Sequence, residues 1–187
     1  MKDLLEVRFH GRGGQGVVTA SRLLAEAALF EGKFVQGFPL FGPEREGAPV
    51  KAFTRISSSP IRVRTQIYTP DVVVVLDPTL VKVEKVTDGL KDGGWLIVNT
   101  AKSPMDVKSE VGVRVKVATV NATKIALEVF GAPRVNAPIL GSLVRAVQLV
   151  SLDSLLKATR SSFSGRVAES NVRAIERAYN ETMLEED

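Results

Sequence analysis

The segment LLEVRFHGRGGQGVVTASRLLAEAALF, residues 4–30, changes its apolar period within a few residues. Leu4–Phe9 predicts a short strand, and Val17–Phe30 predicts a helix with one apolar stripe. The glycine turn Gly11–Gly16 lies between them. A strand, a tight turn and a helix in this order indicate the start of an α/β domain.

The turn has the spacing G-x-G-x-x-G, with glycines at positions 11, 13 and 16. Glycine lets the backbone approach a phosphate closely, and the free N–H groups and dipole of the following helix attract an anion. The short motif recurs widely, so a turn that only permits close packing remains an alternative. A nicotinamide site also requires an acidic residue at the end of the second strand. Because the predicted second strand, Lys33–Gln36, is followed by Gly37, the pattern disfavours NAD and leaves phosphate binding open.

The rest of the chain alternates strands with helices. Val50–Ile56 and Ile61–Ile67 alternate apolar with basic or polar residues, which predicts a half-exposed hairpin. Further predicted strands are Asp71–Leu76, Trp95–Val98 and Val113–Val117. Further predicted helices are Leu80–Leu90, Ala122–Phe130, Leu140–Val150, Asp153–Phe163 and Ala168–Met183. The expected architecture is one α/β domain over residues 1–187, with a doubly wound, mostly parallel sheet, an inserted β-hairpin and an acidic C-terminal tail, 181–187.

Composition restricts the chemistry. The 187 residues include no cysteine and one histidine. This excludes disulfides, thiolate catalysis, Cys-ligated zinc, multi-His metal sites and an iron–sulfur cluster held by this chain alone. Any redox centre must then be a bound organic cofactor or belong to a partner. No apolar run approaches the ~18 residues of a membrane helix and no signal-peptide pattern opens the chain, so we expect a cytoplasmic protein.

Positive charge is concentrated locally. The net charge is +4, and five cations face two acids between Glu44 and Arg64. The cations are Arg45, Lys51, Arg55, Arg62 and Arg64. The segment is either a solvated hairpin or an anion-binding surface. Nucleic-acid binding is weakly supported, because the chain has two tyrosines, one tryptophan and no interleaving of basic and aromatic residues.

Polar residues follow several predicted strands. Asp77, Asn99 and Asn121 each come after a Val-rich strand, and Asn136 precedes a predicted helix. Such residues cap helices or stiffen loops more often than they bind ligands. His10 abuts the glycine turn without an evident carboxylate partner, which favours a structural role. No catalytic triad, carboxylate pair or metal-ligand set is present, so no catalytic or metal-binding residue is assigned.

Several longer motifs occur in a recognisable order. They are GRGGQGVVTASRLLAEAA, FPLFGPEREGAPVKAFTRIS, PDVVVVLDPTL, GGWLIVNT and NAPILGSLVRA. Together they resemble the gamma subunits of the thiamine-dependent 2-oxoacid:ferredoxin oxidoreductases, of which pyruvate synthase is the familiar case. The resemblance implies oxidative decarboxylation of a 2-oxoacid, most commonly pyruvate, to its acyl-CoA with transfer of electrons to ferredoxin. It also implies that alpha and beta chains hold thiamine diphosphate and Mg²⁺, and that [4Fe–4S] clusters lie on beta and delta chains.

The resemblance and the residues together predict a coenzyme A site, since this ligand carries a pyrophosphate and a ribose phosphate. The candidate residues, which could instead contact a partner subunit, are Gly11, Gly13, Gly14, Gln15, Gly16, Arg45, Asn99 and Asn136. No cofactor is expected on this chain alone. A stand-alone dinucleotide-binding dehydrogenase is the alternative, and it requires NAD(H) binding by the isolated chain.

Overall fold

Four parallel strands form the centre of the sheet in the computed structural model, which describes residues 4–40 and 47–185. The strands are β1 (Leu4–Arg12), β2 (Phe34–Leu40), β3 (Pro49–Ser57), β4 (Val72–Val75), β5 (Trp95–Asn99), β6 (Lys116–Val120) and β7 (Met183–Glu185). The helices are α1 (Val17–Phe30), α2 (Leu80–Val83), α3 (Pro104–Val111), α4 (Ala122–Phe130), α5 (Pro138–Val147), α6 (Leu152–Ser162) and α7 (Gly165–Glu181).

The sheet order across the described residues is β2-β3-β1-β4-β5-β6-β7. Strands β1, β4, β5 and β6 run parallel, whereas β3 pairs antiparallel with β1 and β2, and β7 pairs antiparallel with β6. Every residue of β4 is buried, as expected for a valine run covered on both faces. The predicted fold class, a doubly wound α/β domain with an inserted hairpin, is confirmed.

The two faces of the sheet carry hydrophobic clusters of different size. On one face, Val7, Phe9 and Val74 pack with residues of α1, α5, α6 and α7 in a large apolar core. On the other face, Val73 and Val75 pack with a smaller cluster from α2 and α3. Beneath β1 and β3 this second face carries buried polar side chains, among them Arg8, His10 and Arg55.

The predicted hairpin of Val50–Ile56 with Ile61–Ile67 is wrong. The hairpin is formed by β2 and β3, and residues 61–67 contain no strand. β3 has no free edge for them, because β1 and β2 already pair with its two sides. Residues 61–67 instead lie close to this pair of strands, where the Ile61 carbonyl accepts from Gln36 Nε2 at 3.4 Å.

Several predicted elements have different bounds in the structure, and two of them show why. The helix predicted at Leu80–Leu90 is one turn, α2, because Glu84 adopts extended backbone. The strand predicted at Val113–Val117 lies at Lys116–Val120 and continues directly into α4 through its N-cap, Asn121. The apolar residues predicted roughly where these elements lie, but the ends of the elements depend on backbone conformation and hydrogen bonding.

Two elements were not predicted. α3 begins at Ser103, whose Oγ accepts from the Asp106 amide, with Pro104 in the first turn. This is a standard helix-start pattern that the sequence carries. β7 lies within the segment expected to be an acidic tail, where Met183 pairs with Thr119 of β6. Residues 186 and 187 lie outside the described residues.

The partly buried carboxylate of Glu31 joins the end of α1 to the start of α6. Glu31 Oε1 accepts from the Ser151 amide at 2.6 Å, and Glu31 Oε2 pairs with Lys33 at 2.7 Å. Partial burial raises the pKa of Glu31, but hydrogen bonds from Lys33, Ser151 and Ser154 outweigh it and lower the pKa to about 2. The ionised carboxylate therefore stabilises the fold at the positive end of the α6 dipole.

We expect Glu31→Gln to reduce the free energy of unfolding by about 1 kcal/mol at pH 7. Because the folded-state pKa is depressed, this stabilisation is present above the usual glutamate pKa of 4.5 and is lost as the pH falls toward 2. Urea unfolding at pH 7 and pH 3 measures the difference from the wild type. Glu176→Gln, at an exposed glutamate of α7, is the control and should change neither value. Equal stability of Glu31→Gln and wild type at pH 7 would contradict the assignment.

Candidate functional site

A cavity of about 310 Å³ opens beside the glycine turn at the carboxyl end of β1. Gly13, Gly14 and Gly16 line it together with the start of α1, and Pro39, Val50 and Lys51 close it from the β2–β3 hairpin. Ligands of doubly wound sheets bind at this edge, outside the carboxyl ends of the parallel strands. The structure thus brings three of the predicted site glycines to one cavity.

The glycines have different local roles. Gly14 and Gly16 have positive φ, 91° and 78°, which L side chains rarely adopt. A Cβ on Gly11 would lie 2.5 Å from Val17 Cγ2, so Gly11 allows α1 to pack against β1. A Cβ on Gly16 would lie 3.0 Å from both Cβ and Cγ of Asn136. Gly11 is therefore required for packing, and Gly16 for both backbone conformation and packing.

Backbone amides supply the donors of this site. Gly13 N already donates to the Ala48 carbonyl at 2.9 Å. The amides of Gly14, Val17 and Val18 have no backbone acceptor within the described residues. At the start of α1 these N–H groups carry the positive end of the helix dipole, and the Gly16 N-cap offers no side chain to neutralise it. An anionic group can take that position.

Hydrogen bonds between side chains support the glycine turn. Gln15 Oε1 accepts from the Arg12 amide at 2.8 Å, and Gln15 Nε2 donates to Asp77 Oδ2 at 3.2 Å. Arg12 Nε donates to the same carboxylate oxygen at 2.9 Å, and its Nη2 donates to Thr79 Oγ1 at 3.0 Å. Partial burial raises the pKa of Asp77, but hydrogen bonds from Thr79, Gln15 and Arg12 outweigh it, so the pKa lies below its usual value. Gln15 is a bracing residue of the turn in this arrangement.

The cavity is less cationic than the sequence indicated. Arg12 is paired with Asp77, and Lys51 lies 3.1 Å from Glu84. Arg55, expected on a half-exposed hairpin, is only 1% exposed, and its Nη2 donates to the Gln66 carbonyl at 3.5 Å. Its Nε donates to Glu6 Oε1 at 2.9 Å. The attraction for an anion at this cavity therefore comes mainly from the amides, with Lys51 at the rim.

The predicted asparagines lie in different environments. Asn99 is buried and donates to the Leu76 carbonyl at 2.8 Å and to Thr123 Oγ1 at 2.9 Å. It thereby ties β4, β5 and α4 together. Asn136 packs against Gly16 at the cavity, and Asn121 caps α4 by accepting from the Lys124 amide at 3.0 Å. Asn136 is thus placed beside the glycine turn, and Asn99 within the sheet.

The remaining predicted cations are Arg45, Arg62 and Arg64. Arg45 lies outside the described residues, and its role in binding stays a prediction. Arg62 and Arg64 are exposed and do not line the cavity.

His10 is buried and neutral. Burial, with further contributions from the charges of Arg8 and Lys51, lowers its pKa to about 3. Its Nε2 accepts a hydrogen bond from Arg8 Nε at 2.9 Å. The structural role favoured by the sequence matches this environment.

Sequence reasoning did not pair Arg12 with Asp77 at the glycine turn and did not place Lys51 at the cavity. A signal for Arg12 and Asp77 was present, because Arg12 is the last residue of β1, Asp77 lies two residues after β4, and these parallel strands end at the same edge. The contribution of Pro39 and Val50 carried no such signal, since it depends on how the β2–β3 hairpin folds over the turn.

Within residues 4–40 and 47–185, no group of three or more His, Asp or Glu side chains could hold a metal ion. In the same ranges, no helix is both long and apolar enough to cross a bilayer.

Comparisons with known proteins agree with the fold. The family model described as pyruvate ferredoxin/flavodoxin oxidoreductase matches residues 6–181. The pyruvate/ketoisovalerate oxidoreductases common subunit gamma of Thermococcus kodakarensis is 55% identical over 184 residues, covering 98% of this chain and 100% of the relative. The same subunit of Pyrococcus furiosus is 56% identical over 180 residues, covering 96% and 97%. The crystal structure of pyruvate oxidoreductase subunit PORC of Thermotoga maritima is 41% identical, with a TM-score of 0.89, and the match covers 99% of this chain and 100% of that one.

We expect Gly16→Ala to destabilise the chain by about 2–3 kcal/mol. The left-handed backbone costs about 1 kcal/mol for an L residue, and crowding against Asn136 adds at least about 1 kcal/mol. Gly131→Ala is the matched control, because Gly131 has a similar φ of 67° and nothing within 4 Å of its Cβ position. Urea unfolding of both variants should show the larger loss for Gly16→Ala. Equal losses would show that Asn136 does not restrict the turn.

Proposed function

Because the chain belongs to the pyruvate ferredoxin/flavodoxin oxidoreductase family, we propose that it contributes a coenzyme A site to a 2-oxoacid:ferredoxin oxidoreductase complex. The chain is the gamma subunit of such a complex. The overall reaction is 2-oxoacid plus coenzyme A plus oxidised ferredoxin giving acyl-CoA, CO₂ and reduced ferredoxin. The observation that carries the proposal is the cavity at the glycine turn, with amides at the start of α1 that have no backbone acceptor within residues 4–40 and 47–185.

The chemistry of the cavity suits the pyrophosphate of coenzyme A. Gly13 and Gly14 allow a phosphate to approach the backbone closely. The amides of Val17 and Val18 lie in the first turn of α1, at the positive end of the helix dipole. Lys51 at the rim adds a cation, although Glu84 partly neutralises it. We assign Arg45, which lies between β2 and β3 in the sequence and outside the described residues, to the ribose phosphate, for which a guanidinium fork is suited.

The electron path lies in other subunits. The chain has no cysteine with which to bind an iron–sulfur cluster. We assign thiamine diphosphate, Mg²⁺ and [4Fe–4S] clusters to alpha, beta and delta chains, and the transfer to ferredoxin to the complex as a whole. The gamma chain then holds the acyl acceptor and docks against its partners.

We also propose that this chain can serve as a subunit of two different oxidoreductase complexes. The relatives in Thermococcus kodakarensis and Pyrococcus furiosus are named as a subunit common to pyruvate and ketoisovalerate oxidoreductases. Coenzyme A is the same for both substrates, so a chain that binds only this ligand can serve either complex. We therefore assign 2-oxoacid selection to the other chains.

A stand-alone dehydrogenase is disfavoured by the second strand. β2 extends through Gln36 and Gly37 to Leu40, and within the described part of the chain it carries no carboxylate for a ribose. Gln36 Oε1 instead accepts from Arg55 Nη1 at 3.3 Å.

We expect Gly14→Val to raise the apparent KM for coenzyme A about tenfold in the reconstituted complex, because the side chain would force the turn out of its left-handed conformation and occupy the cavity. Arg45→Ala should also raise it, and the KM for the 2-oxoacid should stay unchanged in both variants. Gly131→Val, with a similar positive φ at the exposed end of α4, is the control for backbone strain. Normal assembly with unchanged coenzyme A affinity would overturn the ligand role.

We expect the purified chain alone to be inactive in 2-oxoacid oxidation and to self-associate. Large apolar side chains, including Leu29, Phe34 and Val83, are exposed on the chain, and such surfaces mark sites of protein contact. Analytical ultracentrifugation of the chain with and without its partner subunits measures this. A chain that stays monomeric at high concentration would contradict the interface assignment.

A further inference from the structure

A second cavity lies on the sheet face opposite α1. Its volume is about 280 Å³, and Arg8, Leu40, Phe53 and Tyr68 are among the residues that line it. In the register of the sheet, Arg8 pairs with Phe53, and Leu40 pairs with Lys51. Paired residues point to the same face, so these side chains meet above three adjacent strands.

Arg8 brings a buried charge to this cavity, and the Asp88 carboxylate, which also lines the cavity, acts on it through its charge without a salt-bridge contact. The residue is 8% exposed. Nε donates to His10 Nε2 at 2.9 Å, and Nη2 donates to the carbonyls of Val86 at 2.9 Å and Asp88 at 2.6 Å. All three acceptors are neutral groups. Among the described residues Arg8 forms no ion pair, which is unusual for a buried arginine.

The guanidinium retains donors for a ligand. Of its five N–H groups, three are used in the bonds to His10, Val86 and Asp88. The two N–H groups of Nη1 have no hydrogen-bond acceptor within the described residues. A carboxylate oxygen is a natural acceptor for such a donor pair.

Neighbouring charges decide what kind of anion fits. Lys51 also lines the cavity, but it is paired with Glu84 at 3.1 Å. His10 adds no charge, whereas the exposed side chain of Asp88 also lines the cavity, and its charge favours the charged form of Arg8. The excess is therefore at most one positive charge, which disfavours a phosphate dianion more than a monoanion. Leu40, Phe53 and Ile67 supply apolar walls.

We propose that this cavity binds a small monocarboxylate with a short apolar chain. The carboxylate accepts hydrogen bonds from Arg8 Nη1, and the apolar chain packs against Leu40 and Phe53. This site is separate from the glycine turn and does not depend on coenzyme A binding there.

Isothermal titration calorimetry of the full chain with 3-methylbutanoate tests the proposal. The neutral 3-methylbutanamide has the same shape without the charge and should bind at least about tenfold more weakly. Inorganic phosphate should also bind more weakly than 3-methylbutanoate. No detectable binding of 3-methylbutanoate, or equal binding of acid and amide, would overturn the proposal.

Variants locate the site. Leu40→Trp, at the partly exposed end of β2, should fill the cavity and weaken binding at least tenfold. Leu127→Trp places the same change at another exposed leucine, on α4, and should leave binding unchanged. Arg8→Met should abolish binding if circular dichroism shows a folded chain, and if it does not fold, the Leu40→Trp result decides. Loss of binding in Val18→Trp, which blocks the first cavity, with retention in Leu40→Trp would place the ligand at the glycine turn and overturn the proposal.

Discussion

β1 is hydrogen bonded along both of its edges, antiparallel to β3 and parallel to β4. Its side chains therefore alternate strictly between the two faces of the sheet. Val7 and Phe9 enter the large core beneath α1, whereas Arg8 and His10 point to the opposite face. Because the glycine turn continues directly from this strand, the position of β1 also fixes the start of α1 and the first cavity.

Burial of charge on the second face requires partners from distant parts of the chain. Arg55 donates to Glu6, and the Glu6 amide donates to Asp71 Oδ2 at 3.0 Å. Lys91 lies 3.0 Å from the other oxygen of Asp71 and 3.7 Å from Glu6. Removing one member would leave a buried charge without compensation, which costs more than an exposed ion pair contributes. This network joins Lys91, which lies before β5, and Asp71, which lies before β4, to β1 and β3.

The two cavities differ in whether their cations are paired with carboxylates. At the glycine turn the cations are satisfied by Asp77 and Glu84, so helix amides provide the attraction for an anion. At the second cavity the hydrogen bonds of Arg8 within the described residues go only to neutral acceptors, and the Asp88 carboxylate lines the same cavity without bonding to the guanidinium. The distribution of carboxylates thus decides which cavity uses backbone donors and which uses a side chain.

The amino-acid sequence determined the elements whose signals are local. The strand, glycine turn and helix of residues 4–30, the Val-rich β4, and the capped helix α4 follow from apolar period and from residues such as Gly16 and Asn121. The absence of cysteine argues against an iron–sulfur cluster held by this chain alone, and the long motifs indicated the family. Tertiary structure decided what depends on distant pairing. It joined β3 to β2 rather than to residues 61–67, buried Arg55, and paired Arg12 and Lys51 with carboxylates. A residue's charge can be read from its letter, but whether that charge faces water, a carboxylate or a cavity depends on contacts between residues far apart in the chain.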